Sequence, residues 1–332
     1  MSGPAPQARP GPPGGSGRAG TLPPAPATPY AQGRTAAAPG GLRAWVIAAR
    51  VPTLSAAVAP VLVGAGAALR DGAWRPGVWL ATLAASVLIQ VGTNFANDLF
   101  DFRKGADTPE RLGPTRATQA GLLSERQIAF GTLLAFGLAV LVGGYLARVG
   151  GWPIVAVGVA AIAAGVLYTA GPWPLGYHGL GDLFVFIFFG VVAVCGTYYL
   201  QAGTLKAGVL AASVAVGLTV TNILVVNNLR DIETDRAAGK RTLAVRIGAR
   251  WTRRQYGLFL ALALAAPVVL WQAGQAGPAF WLPWLAVPEA VRLARRVARE
   301  SGPALNRVLK ETSRFHLLYG FLLGASMLGG SP

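Results

Sequence analysis

Hydrophobic residues dominate this chain in long stretches that are separated by short polar segments. Nine stretches are long enough to cross a bilayer, because about 20 apolar residues in a helix match the thickness of its hydrocarbon core. They lie at approximately 44–69, 78–100, 128–147, 152–171, 182–201, 207–229, 255–273, 278–297 and 315–330. Pro283 and Pro288 interrupt the eighth, and the ninth is short and rich in glycine. The pattern predicts an all-α integral membrane protein with about nine transmembrane helices.

The first 40 residues follow a different pattern. They contain ten Pro, eight Gly, three Arg and no acidic residue. A segment of this composition cannot bury enough apolar surface to fold by itself. It also lacks the apolar core that a secretory signal requires. We therefore predict a disordered tail over 1–40 and a polytopic membrane domain over 41–332.

The net charge of +16 is unevenly distributed along a chain that is 53% hydrophobic and only 13% charged. Of the 29 Lys and Arg residues, 25 lie in the N-terminal segment, at the end of the eighth stretch and in the polar segments after the second, sixth and eighth stretches. Because cytoplasmic loops carry the excess of positive charge, these segments and the N-terminus are predicted to be cytoplasmic. The distribution indicates a multi-pass protein of the plasma (inner) membrane whose basic residues attract anionic lipid headgroups. A nucleic-acid partner is not expected.

Two clusters of Asn and Asp residues end the second and sixth apolar stretches. Their polar residues recur at helical spacing: Asn94, Asp98 and Asp101 in the first cluster, and Asn227, Asp231 and Asp235 in the second. Either spacing places the side chains on one face of a helix. Ionisable residues so close to a membrane span indicate a functional site. Both clusters are predicted to open toward the cytoplasm.

The clusters carry the oxygen ligands that hard divalent cations prefer. Mg²⁺ binds through one or two carboxylates together with phosphate oxygens, so two facing clusters could hold Mg²⁺ and a diphosphate. Ion pairing with neighbouring Arg residues is the structural alternative, but it does not explain why two clusters share the same pattern. Cationic residues in the following loops are placed to stabilise a departing diphosphate: Lys104, Arg116, Lys240 and Arg241.

The segment 168–182 is predicted to be cytoplasmic, yet it contains no Lys or Arg and is rich in Gly, Pro and aromatic residues. Such a segment either lines a cavity as irregular backbone or forms an aromatic belt at the membrane interface. For Trp173 and Tyr177 both interpretations stay open. Tyr168 and Asp182 mark the two helix ends that face the expected cavity, so we favour them as site residues.

These motifs resemble the UbiA superfamily of intramembrane aromatic prenyltransferases, and most closely its MenA type, which acts on 1,4-dihydroxy-2-naphthoate. The superfamily carries an Asn-Asp-x-x-Asp motif and an Asp-x-x-x-Asp motif on nine helices. The resemblance extends over about 42–330, and the closer match lies in 97–107 with 111–116, in 168–182 and in 227–248. One departure is Gly105, where the broader superfamily often has an acid. Asp107, two residues further on, follows the MenA-like pattern.

The resemblance implies a central cavity beneath a cytoplasmic polar cap, with Mg²⁺ as the cofactor. It implies metal ligands at Asn94, Asp98, Asp101, Asp107, Asn227, Asp231 and Asp235. It places the diphosphate on Lys104, Arg116, Lys240 and Arg241. Catalysis would rest on Asp98, Asp101, Asp231, Asp235 and Tyr168. Asp182 and Asn228 would contact the acceptor or support the metal ligands.

The implied reaction transfers a polyprenyl group from polyprenyl diphosphate to 1,4-dihydroxy-2-naphthoate. Loss of CO₂ then gives demethylmenaquinol for menaquinone synthesis. One alternative is another aromatic acceptor within the superfamily, such as 4-hydroxybenzoate or homogentisate. A second alternative is a transporter or lipid-diphosphate carrier that uses the same cation-binding faces without chemistry.

Overall fold

The computed structural model describes residues 1–3, 41–105 and 112–328, and within these ranges the chain forms helices and turns but no β-strand. The α-helices, in chain order, lie at Leu42–Ala49 (α1), Ser55–Arg70 (α2), Pro76–Arg103 (α3), Glu125–Gly150 (α4), Trp152–Leu167 (α5), Gly181–Val185 (α6), Ala193–Ala202 (α7), Ala207–Arg230 (α8), Ile232–Ala237 (α9), Leu243–Gln272 (α10), Val287–Arg299 (α11) and Leu305–Met327 (α12). A π-helical segment, Phe186–Val192, joins α6 to α7 in one continuous rod. The predicted tail over 1–40 lies almost entirely outside the described residues.

Six helical segments among the described residues are long and apolar enough to cross a membrane. They lie at Val51–Arg70, Pro76–Arg103, Glu125–Gly150, Gly181–Ala202, Ala207–Arg230 and Leu243–Gln272. Helix α5 is apolar but shorter. The predicted all-α membrane architecture is confirmed, whereas the predicted number of nine spans is not.

The eighth predicted stretch differs most from the structure. Its first part forms a 3-10 turn, Leu282–Ala286, because Pro283 removes a backbone donor. The following helix α11 has 13 residues, and both Arg296 and Arg299 lie in its last turn. Helix α11 is therefore amphipathic and too short to span a bilayer by itself. The ninth stretch begins earlier than predicted, at Leu305, and its first turns are polar.

The first predicted stretch is broken near its start. Arg50 adopts a left-handed conformation, with φ 50° and ψ 58°, between α1 and the 3-10 turn that leads into α2. A helix rarely continues through the residue before a proline, and Pro52 lies two residues beyond Arg50. Helix α1 consequently turns away from α2 and packs on α3, where Trp45 meets the ring of Phe95 edge-on.

Small residues let several helices pack closely in the interior. Gly66 on α2 lies so near Gly324 on α12 that an added Cβ would come within 2.3 Å of the Gly324 carbonyl oxygen. Gly64 contacts Val194 and Thr197 on α7 in the same way. Backbones that approach this closely gain dispersion contacts that larger side chains would prevent. This packing fixes the positions of α7 and α12 against α2.

Candidate active site

A cavity of about 1300 Å³ lies between α3, α4, α5, α7 and α8. One end is polar and is formed where α3, α5 and α8 finish, and the remainder is walled by apolar residues of α4, α5 and the 184–200 segment. Nine of the predicted site residues line this cavity: Asn94, Asp101, Arg116, Tyr168, Asn227, Asn228, Asp231, Asp235 and Lys240. The two Asn/Asp clusters therefore share one cavity, as their sequence pattern predicts.

Asp101, on the cavity wall, has several side-chain partners. Its Oδ2 accepts a hydrogen bond of 2.8 Å from Arg116, and its Oδ1 accepts one of 2.9 Å from the hydroxyl of Tyr177. The ammonium of Lys240 lies 3.5 Å from Oδ1. Asp101 is 2% exposed, so its charge needs these donors to offset the loss of water. The carboxylate thereby joins α3 to three later segments of the chain.

The second cluster is organised around a buried arginine. Arg230 donates to both oxygens of Asp231, at 2.8 and 2.5 Å. The same guanidinium donates to the Oδ1 atoms of Asn227 and Asn306, each at 2.9 Å. The Arg230 side chain is 0% exposed. Arg230 and Asp231 therefore form a closed charge pair at the end of α8. Asp235 lies one turn further along, on the same cavity wall.

Asp98 does not line the cavity, although it belongs to the predicted metal-binding face. It is 1% exposed, and its Oδ2 accepts a hydrogen bond of 3.0 Å from the backbone amide of Ala117. Asn97 takes the neighbouring place on the cavity wall, where its Oδ1 accepts a hydrogen bond from Thr169. In the structure, Asp98 thus holds the 116–118 segment through this hydrogen bond. Its role as a metal ligand stays a prediction.

Two of the four predicted diphosphate ligands also lie elsewhere. Lys104 donates to the carbonyls of Thr169 and Gly171, at 2.6 and 3.2 Å, and it lines a second cavity together with Arg241. Burial lowers the pKa of the Lys104 ammonium, while nearby Asp101 opposes that shift. Tyr177 lines both cavities, and the centroid of its ring lies 4.6 Å from the ammonium of Lys240 in the main cavity and 5.1 Å from that of Lys104 in the second.

Tyr168 and Asp182 mark neighbouring helix ends but have different surroundings. The ring of Tyr168 lines the main cavity and packs so tightly on Gly176 and Gly181 that a Cβ at either glycine would approach it within 3 Å. Asp182 is 9% exposed and accepts a hydrogen bond of 2.7 Å from Gln255. Asp182 does not line the cavity and instead ties α6 to α10. Asp107 lies outside the described residues.

Sequence reasoning missed several residues of the cavity wall. Arg50 and Lys310 line it, but both were counted only as part of the basic excess that sets topology. The positive φ of Arg50 is a costly backbone conformation for a residue with a side chain. Pro52 was the sequence signal for a break in the first stretch. At that break, Arg50 lies on the cavity wall.

The oxygen donors of the two clusters fit Mg²⁺ by their chemistry. Among the residues that the structure describes, no three Asp, Glu, His or Cys side chains are close enough to hold a metal ion by themselves. The carboxylates of Asp101, Asp231 and Asp235 nevertheless share one cavity with amide oxygens, and Mg²⁺ commonly completes such a set with water and phosphate oxygens. A diphosphate and the carboxylates together would therefore provide the ligands.

Comparison with known proteins shows the family of this chain. A model of the UbiA prenyltransferase family matches residues 57–318. The chain is 39% identical over 296 residues to the 1,4-dihydroxy-2-naphthoate octaprenyltransferase of Mycobacterium tuberculosis, covering 86% of this chain and 97% of that protein. It is 36% identical over 295 residues to the Escherichia coli protein of the same name, covering 84% and 93%.

A solved structure shares the fold. The UbiA homolog from Archaeoglobus fulgidus, bound to DMAPP and Mg²⁺, aligns with a TM-score of 0.61 at 13% identity, covering 84% of this chain and 98% of that one. The predicted resemblance is confirmed by the family match and by relatives whose names are those of the predicted MenA type. The chain belongs to the UbiA prenyltransferase family.

Proposed function

We propose that this protein transfers a polyprenyl group from a polyprenyl diphosphate to 1,4-dihydroxy-2-naphthoate, with loss of CO₂ and in the presence of Mg²⁺. The observation that carries the proposal is a single cavity with two unlike parts. Its polar end bears acids and bases from both Asn/Asp clusters, and its apolar part runs between α4 and α5. Such a cavity suits a donor with a charged head and a hydrocarbon tail.

The diphosphate head belongs at the polar end. Arg116 and Lys240 lie on its wall and are held in place by Asp101. Asp101, Asp231 and Asp235 would hold Mg²⁺ with help from Asn97 and the diphosphate oxygens. When bound, Mg²⁺ supplies positive charge that stabilises the departing diphosphate. The side chains of Arg116 and Lys240 add donors aimed at the same charge.

The acceptor needs a cation for its carboxylate and a broad apolar surface for its two fused rings. We propose that Arg50 provides the cation, because it projects from the break between α1 and α2 onto the cavity wall. Tyr168 and Tyr177 line the same cavity, and their rings offer flat surfaces. Aromatic faces of this kind also stabilise an allylic cation.

The reaction balances without a covalent enzyme intermediate. The bond between carbon and the diphosphate oxygen breaks, and the electron pair leaves with the diphosphate. The ring carbon that bears the carboxylate then forms a bond to the prenyl carbon, while the adjacent hydroxyl loses its proton. Departure of CO₂ returns its bonding pair to the ring, and the proton restores the hydroquinone. The apolar wall excludes water that would otherwise capture the allylic cation.

We further propose that the polar end of the cavity opens to the cytoplasm of a cell whose plasma (inner) membrane holds the protein. Support comes from the distribution of Lys and Arg, which concentrate at this end of the helices. The basic surface would then also contact anionic lipid headgroups.

The experiment is product analysis with purified protein in lipid nanodiscs. With 1,4-dihydroxy-2-naphthoate and an all-trans polyprenyl diphosphate, we expect demethylmenaquinol, with CO₂ and diphosphate released in equal amounts. 4-Hydroxybenzoate should react at least about tenfold more slowly, because a single ring leaves part of a two-ring site unfilled. Equal rates on both acceptors, or a product that retains the carboxylate, would refute the acceptor. No diphosphate release with any acceptor would instead favour a carrier.

A further inference from the structure

A second cavity, of about 530 Å³, shares Tyr177 as a lining residue with the main cavity. Its charged lining residues are Lys104, Arg241 and Arg246, and His178 lies beside them. The remaining wall is short and rich in Gly and Pro. No Asp or Glu among the described residues lines it. As far as the described residues line it, the cavity is therefore strongly cationic and offers no apolar groove for a prenyl chain.

The two cavities differ in how they can bind an anion. The main cavity is lined by three carboxylates as well as by cations, and Arg116 and Lys240 already contact Asp101. A diphosphate would meet negative charge there, so it requires a metal ion as partner. Among the described residues, the second cavity is lined by three cations and by no Asp or Glu. Coulombic attraction alone favours an anion in it.

Arg241 is the best placed of these cations to bind a ligand. Its backbone amide donates to Tyr177 and its carbonyl accepts from Arg246, which fixes its main chain. Its side chain is exposed and, among the described residues, has no hydrogen bond or ion pair of its own. By contrast, Lys104 and Arg246 donate to backbone carbonyls, which hold them in place, and neither forms an ion pair with an acid among the described residues.

We propose that the second cavity is an outer binding site for inorganic diphosphate, the leaving group of the proposed prenyl transfer, on which this inference rests. Lys240 and Arg241 are consecutive in the chain but line different cavities, and Tyr177 lines both. The diphosphate that leaves the prenyl carbon beside Lys240 passes Tyr177 and is taken up by Arg241, Lys104 and Arg246. The outer site binds without metal, and its ligand has no hydrocarbon tail.

The test measures the binding of inorganic diphosphate to the full-length protein in detergent, by calorimetry in EDTA. Wild type should bind one diphosphate per chain without metal. Arg241→Gln should weaken that binding at least about tenfold, because it removes one charge-assisted partner. Arg250→Gln changes an exposed arginine on α10 that lines neither cavity, and it should bind like wild type. Thermal unfolding of all three proteins checks that they are folded.

Two further measurements, one on a variant and one by competition, identify the site and the ligand. Asp235→Asn, on the main cavity, should leave the metal-free binding unchanged. Geranyl diphosphate should compete more weakly than inorganic diphosphate, because its tail finds no groove. The proposal is overturned if wild type binds no diphosphate in EDTA, if Arg241→Gln binds like wild type, or if Asp235→Asn abolishes the binding. These measurements need no turnover, so they are read separately from a failure of the proposed prenyl transfer.

Discussion

The hydroxyl of Tyr177 donates a hydrogen bond of 2.9 Å to Asp101, and this bond links the end of α3 to the segment between α5 and α6. Tyr177 also places its ring 4.6 Å from the ammonium of Lys240 and 5.1 Å from that of Lys104. The Tyr177 side chain thus contacts the carboxylate of Asp101 and the ammonium groups of Lys240 and Lys104. Its hydroxyl and its ring can be tested separately.

Tyr177→Phe removes the hydroxyl and keeps the ring. The variant should fold normally and lose about tenfold in kcat/KM, because a hydrogen bond to a charged group contributes on the order of 1.5–3 kcal/mol. Steady-state kinetics with the naphthoate acceptor measure the loss. Tyr145→Phe, which changes an exposed tyrosine on α4, is the matched control. An unchanged kcat/KM for Tyr177→Phe would show that Asp101 needs no such orientation.

Asp235→Asn tests the second cluster without disturbing the buried charge pair. Asp235 is partly exposed on the cavity wall, so its loss should leave the melting temperature nearly unchanged. Turnover should fall about 100-fold, as when one electrostatic stabiliser is removed from an active site. Glu233→Gln on the same short helix is the control, since that side chain is 80% exposed. Near-normal turnover of Asp235→Asn would remove Asp235 from the proposed metal site.

Asp231→Ala should behave differently from Asp235→Asn. It leaves the guanidinium of Arg230 buried without its carboxylate, and breaking a buried ion pair in this way costs about 3–5 kcal/mol. We expect a lower melting temperature and less folded protein, in addition to lost activity. Differential scanning calorimetry, or a dye-free unfolding assay in nanodiscs, measures the change. A melting temperature equal to that of wild type would contradict the structural role of the Arg230–Asp231 pair.

Sequence reasoning identified which helices end at the site but not the rotation of each helix. Asn97 and Asp98 are adjacent polar residues, and successive residues of a helix point about 100° apart. Asn97 lines the cavity while Asp98 holds the 116–118 segment, and spacing alone favoured Asp98. The same limit applies to Lys240 and Arg241, because the sequence does not show that these neighbours line different cavities.

The fold was predictable where the apolar stretches were long and uninterrupted, as in α3, α4 and α8. The eighth stretch was not, because its Pro residues and the Arg residues of its second half lower its hydropathy below that of a span. The closed pair of Arg230 and Asp231 could not be predicted from the sequence either. Adjacent residues rarely face each other on a helix, and α8 ends between these two.

Removal of divalent metal should abolish turnover. All the proposed ligands are oxygen atoms, which favours Mg²⁺ or Mn²⁺ over softer metals. Protein dialysed against EDTA should be inactive and should recover with Mg²⁺ or Mn²⁺, while its melting temperature stays within a few degrees of the starting value. Retained activity in metal-free buffer would contradict the proposed diphosphate site. The proposed binding of inorganic diphosphate in the second cavity needs no metal, so it would be unaffected by that result.

Gly143→Leu should alter the preference for prenyl length. Gly143 on α4 lines the apolar part of the cavity, and an added Cβ would meet no atom within 4 Å. A leucine side chain would therefore project into the space assigned to the prenyl tail, without displacing a neighbouring helix.

We expect kcat/KM to fall at least about tenfold for a long polyprenyl diphosphate, since filling the path displaces several tail carbons, each worth about 0.8 kcal/mol. Geranyl diphosphate, which does not extend as far, should react at close to the wild-type rate. Gly137→Leu on the same helix is the control, because Gly137 has equal open space but faces away from the cavity. Equal losses for short and long donors would place the tail elsewhere, and a loss in Gly137→Leu of the same size would attribute the effect to α4 itself.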